Sequence, residues 1–113
     1  MTISVQSEEQ FRERVIEFAQ IESALDPGIR YFVRVLYEHG VETFESCESG
    51  DGHCFPEPTI RFHGGHSAGY RAVAIALEHG LPVSALRRDW RVIDGELVGP
   101  YWELTFFRKA TNG

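Results

Sequence analysis

Lysine is almost missing from this 113-residue chain: ten of its eleven basic residues are arginine, and Lys109 is the exception. Arginine suits bidentate contacts with anions, but a GC-rich coding genome gives the same bias, so the pattern by itself names no ligand. Cysteine is scarce too, with only Cys47 and Cys54. Two thiols exclude a disulfide-stapled scaffold and point to a reducing compartment. No apolar run approaches the length of a membrane-spanning helix. Met1 to Gln10 is polar and acidic, without the charged-then-apolar pattern of a secretory leader. A cytoplasmic location is the expectation. Positive charge is in deficit overall, and a net charge of −6 argues against nucleic acid or acidic membrane as the main partner.

What is present is enough for one well-packed domain. Apolar residues make up 42% of the chain, among them eight Phe, four Tyr and two Trp. A chain of this size hides about two-thirds of its unfolded surface on folding, so the core needs no metal or disulfide support. Charge is unevenly spread. Val41 to Pro58 holds Glu42, Glu45, Glu48, Asp51 and Glu57 and no Lys or Arg, whereas Arg61 to Arg91 holds five arginines against Glu78 and Asp89.

Three helices are predicted. Ser7 and Gln10 form a capping-box pattern ahead of an apolar stripe of Phe11, Val15 and Phe18. Asp26-Pro27 reads as an N-cap followed by proline in the first helical position. Ile29, Phe32, Val33 and Leu36 then recur at helical spacing up to Gly40. Alanine-rich Ala68 to His79, stopped by Gly80, gives the third helix. Strands are predicted over 41–47, 59–63, 83–93 and 101–107, and Asp94-Gly95 is a hairpin-turn signal. Gly99-Pro100 implies that the last strand is bulged or interrupted. Alternation in the first strand puts Glu45 with Val41, Thr43 and Cys47, and Phe44 on the other face.

Glu38-His39-Gly40-Val41 returns forty residues later as Glu78-His79-Gly80-Leu81, each copy ending a helix and opening a hairpin. The expected architecture is α+β: a single domain of two helix-then-hairpin units, 26–66 and 67–109, after an N-terminal helical segment, 1–25. Their strands form a four-stranded, mainly antiparallel sheet with helices on one face. Such a sheet leaves its other face to be covered, and a homodimer is one way to cover it.

Most of the unusual chemistry falls between Glu45 and His66. The Gly- and Pro-rich loop from Glu48 to Pro58 exceeds a plain hairpin turn, and long loops in compact domains often bind or catalyse. Cys47, His53 or Cys54, His63 and His66 are residue types zinc accepts, although their spacing matches no standard finger. A thiol enzyme would use Cys47 or Cys54 with His53, His63 or His66 as base, but the surrounding acids disfavour a thiolate. General acid–base chemistry would fall to Glu57 or His63. Arg61, Arg71 and Arg87 to Arg91 could bind an anionic metabolite or nucleotide, although alternation separates Arg88 from Arg87 and Arg91. The plain alternative makes Cys47 a buried strand-end residue and the acids solvated.

The runs Gly40-Val41-Glu42-Thr43-Phe44-Glu45-Ser46-Cys47 and Phe55-Pro56-Glu57-Pro58-Thr59-Ile60-Arg61-Phe62 resemble a set of short uncharacterised proteins of bacteria and their phages. The resemblance spans about Asp26 to Phe107. It implies a prokaryotic or viral origin and no established activity, cofactor or site. The expected function is therefore a non-enzymatic binding module, such as an inhibitor or a small-molecule sponge. It would contact a protein or small ligand through Glu45, Glu48, Asp51, His53, Glu57 and Arg61, with zinc at the Cys/His cluster as the enzymatic alternative.

Overall fold

The computed structural model describes residues 6–49 and 57–108. Helix α1, Glu8–Ile21, opens on the predicted capping box: Ser7 Oγ accepts the Gln10 amide at 3.1 Å, and Gln10 Oε1 accepts the Ser7 amide at 2.9 Å. A single 3-10 turn, Glu22–Ala24, leads to α2, Pro27–Glu38. Its N-cap position is Asp26, whose carbonyl accepts the Ile29 amide at 3.1 Å.

Helix α2 and helix α3, His66–Glu78, end in the same way. His39 Nδ1 lies 2.8 Å from the Val35 carbonyl, and His79 Nδ1 lies 2.9 Å from that of Ile75. A carbonyl only accepts, so Nδ1 carries the proton in both rings. Gly40 and Gly80 follow at φ +93° and +71°, values that glycine adopts without a Cβ penalty. The Val41 and Leu81 amides then return to the Leu36 and Ala76 carbonyls. The four-residue echo is thus one helix stop used twice, and the His39 and His79 rings lie against each other with centroids 4.5 Å apart.

The strands are β1, Thr43–Cys47; β2, Thr59–Phe62; β3, Val83–Ile93; and β4, Glu96–Phe106. They form one antiparallel sheet in the order β1-β2-β4-β3, so the α+β architecture is as expected. Asp94 and Gly95 turn the last hairpin with positive φ at both residues, matching its right-handed twist. Some boundaries differ from the sequence pattern. Helix α3 starts two residues early, at His66. Strand β4 runs through Gly99-Pro100 as a bulge, with Asp89 opposite Tyr101 and Arg91 opposite Val98.

Ile60, Phe62, Trp102, Leu104 and Phe106 alternate along β2 and β4 and pack with Phe18, Ile29, Val33, Leu36, Ala72 and Ile75 into one buried cluster. A Cβ on Gly69 would stand 2.7 Å from the Trp102 ring, so that glycine lets α3 settle onto β4. The intervening residues, Thr59, Arg61, Tyr101, Glu103 and Thr105, lie on the helix-free face, and all five are buried.

Candidate functional site

Register assembles an ion-paired row across that face. Glu45 on β1 sits opposite Arg61 on β2, which sits opposite Glu103 on β4, which sits opposite Arg87 on β3. Arg61 Nε and Nη2 donate to Glu103 Oε2 at 3.0 and 2.9 Å, and Nη1 donates to Glu45 Oε1 at 2.7 Å. Arg87 lies 3.6 Å from Glu103 Oε1, and Arg91 lies 4.0 Å from Oε2. Burial by itself would lower the pKa of Arg61. The hydrogen bond to Glu103 and the charge of Glu45 outweigh it and hold the guanidinium above the ordinary arginine value.

An aromatic cluster adjoins the row. Phe44 stacks on His63 with centroids 4.4 Å apart and meets the Tyr101 ring edge-on at 5.6 Å. Arg61 lies over the same Tyr101 ring, 5.2 Å from its centroid. Simple alternation puts Phe44 on the face away from Glu45. A register irregularity between Thr43 and Glu45 instead brings Phe44 to Tyr101, and about half of its surface stays exposed. On the other side of the row, Ser84 Oγ bonds Thr105 Oγ1 at 2.8 Å and donates to Glu57 Oε1 at 3.2 Å.

The structure thus gathers Glu45, Arg61 and His63 on one face and ties Glu57 to its border. Glu48 takes a different role: its Oε1 accepts the Gly28 amide at 2.5 Å, in the first turn of α2. Cys47 is buried at the end of β1, and His66 is exposed as the first residue of α3. Asp51, His53 and Cys54 lie outside the described residues. Among the described residues, no three His, Cys, Asp or Glu side chains form a group able to hold a metal ion.

The arginines divide between separate places. Arg71 donates to the carbonyls of His39 and Gly40, tying α3 to the end of α2. Arg88 lies over the Trp102 ring on the helix side, 4.7 Å from its centroid. An open groove of about 1250 Å³ runs past Gly28, Tyr31, Phe32, Glu48, Pro82 and Phe107 at the far end of the sheet.

Tyr101 and Glu103 belong to the site but were not among its sequence candidates. The available signal was Glu103 itself, the one acid in the otherwise apolar-aromatic run Tyr101-Trp102-Glu103-Leu104-Thr105-Phe106-Phe107. A charge in a strand with both faces buried needs a partner. The arrangement holds charged groups in fixed positions beside a half-exposed aromatic pair. Comparison of the chain with protein-family models, curated proteins and solved structures finds no match.

Proposed function

We propose that this chain is a non-enzymatic binding module of bacterial or phage type, working in the cytoplasm, which takes a protein partner on the helix-free face of its sheet. The observation that carries the reading is the half-exposed Phe44–His63 stack mounted on the Glu45–Arg61–Glu103 row. A rigid aromatic contact loses little entropy on binding, and aromatic anchors commonly dominate protein interfaces. Glu45 and Glu57, from the acid-rich part of the chain, border this surface. With the chain's net charge of −6, this favours a partner with a basic surface and an attraction that weakens as salt rises.

Glu45 and Glu57 act here as anchors of the surface, because each is engaged within the chain, and Glu48 is engaged elsewhere, at the start of α2. Recognition then rests on Phe44 and His63. The test is capture from bacterial extract on immobilised full-length chain, compared with Phe44→Ala and His63→Ala variants of unchanged melting temperature. A protein retained by the wild type at low salt should fall at least about tenfold with Phe44→Ala. Equal retention by wild type and variant, or no retained protein at all, would rule the reading out.

A further inference from the structure

Strand β3 is an edge of the sheet, and its eleven residues, with those of β4, outrun the four of β2. The β2–β4 ladder stops at Phe62 and Trp102, so the far part of the β3–β4 hairpin projects as a two-stranded arm. Trp90, Val92, Ile93, Leu97 and Val98 on that arm are 41–70% exposed. Two strands with this much uncovered apolar surface are poorly stable by themselves. Helix α3, which packs against β3, adds exposed Tyr70 and Leu77 at i and i+7.

Charged residues usually blunt an edge against pairing. On β3 they are complementary in sign about Arg88, Arg87 on one side and Asp89 on the other: Leu86-Arg87-Arg88-Asp89-Trp90. We propose that two copies of this chain pair antiparallel along β3 about a two-fold axis at Arg88, making one eight-stranded sheet. That register places Arg87 opposite Asp89 of the second copy, twice over, as favourable cross-strand pairs. It sets Leu86 against Trp90 and Ala85 against Arg91 of the second copy, so regular pairing covers Ala85 to Arg91 and ends where β3 is bulged between Val83 and Ala85.

Neighbouring registers are worse. Centring on Asp89 opposes Asp89 to itself and Arg87 to Arg91; centring on Trp90 leaves Val83 to Leu86 without β3 partners. The one like-charge meeting in the proposed register is Arg88 with its own copy. Arg88 is already drawn back over its own subunit, where it stacks on Trp102 and donates to the Gly64 carbonyl at 3.2 Å. Arg87 is 63% exposed and Asp89 37%, so both can reach across. The dimer uses the edge opposite β1 and leaves Phe44 and His63 open, so it stands apart from the partner reading and would make the module bivalent.

Native mass spectrometry of the full chain at about 100 µM, where even a micromolar dimer is formed, should give twice the 12.8 kDa chain mass. Trp90→Lys, at an exposed site, should weaken that dimer at least about tenfold. A background with Cys47→Ala and Cys54→Ala then tests the register by oxidative cross-linking. Arg88→Cys should link to itself across the axis, whereas Trp90→Cys, ~13 Å from its own counterpart, should not. A monomeric wild type, a dimer indifferent to Trp90→Lys, or linking at position 90 but not at 88 would each overturn the proposal. Should the cysteine-free background fail to fold, the wild-type mass and the Trp90→Lys titration decide the matter.

Discussion

Glu48 and Gly28 are twenty residues apart, yet a change at either bears on the other. The Glu48 carboxylate meets an unsatisfied amide at the start of α2, where the helix dipole also favours negative charge. A Cβ on Gly28 would come within 2.6 Å of Glu48 Oε1 and 3.0 Å of Glu48 Cβ. Gly28→Ala should therefore displace the cap and destabilise the fold by about 1–2 kcal/mol in chemical denaturation. Glu48→Gln, which keeps an acceptor and loses the charge, should cost less.

Arg61 shows a larger dependence of the same kind. Arg61→Met would strand the buried Glu103 carboxylate, which among the described residues keeps Arg87 and Arg91 at 3.6 and 4.0 Å as its cationic neighbours. The expected loss is about 3 kcal/mol, and adding Glu103→Leu should recover most of it. A double variant as unstable as the single one would show that the row matters for more than charge pairing. Tyr37 supplies a pH signature. Burial first, then the hydrogen bond and charge of Glu17, raise its pKa above the ordinary value of 10.0, against a lowering by Arg14. A raised folded-state pKa favours the neutral phenol in the native state. Its contribution is complete below pH 10 and disappears as pH rises through the folded-state value. Stability should fall in that alkaline range, and Tyr37→Phe should flatten the fall.

At the scale of elements, local signals were legible where the chemistry is local. The Ser7 and Gln10 cap, the Gly40 and Gly80 stops and the Asp94-Gly95 turn follow from residues within four positions of one another. Face assignments failed where a single-residue irregularity intervened: alternation sent Phe44 away from Glu45, and the slip after Thr43 brought it back. Nothing in local periodicity can report such a slip, because pairing partners set it. The same limit hid Glu48's role and the match of Arg61 with Glu103, forty-two residues apart. The bulge in β4 was readable from Gly99-Pro100, although the strand continues through it. Gly99 sits at φ +131°, and an added Cβ would stand 2.9 Å from the Asp89 carbonyl oxygen. Gly99→Ala should thus destabilise the arm by about 1–3 kcal/mol, with hydrogen exchange accelerated at residues 89–98 first. Uniform acceleration across the sheet would mean that the arm and the body open together.

At the scale of the molecule, the repeat of helix and hairpin was visible in outline, but the way its halves join was not. Strands β2 and β4, one from each half, pair at the centre of the sheet through Thr59 to Phe62 and Trp102 to Thr105. Ile60 and Phe62 from one half pack in a single cluster with Leu104 and Phe106 from the other. Neither half can therefore bury its own apolar strand face, although each carries its own helix stop and its own hairpin. The link between them crosses the exposed Gly64-Gly65 pair, which has no side chain to lose. Cutting the chain there should yield two fragments, 1–64 and 65–113, with little ordered structure apart and a native circular dichroism spectrum when mixed in equal amounts. The central strand pair would then serve as the recognition code of a split protein, reassembling from separately made pieces.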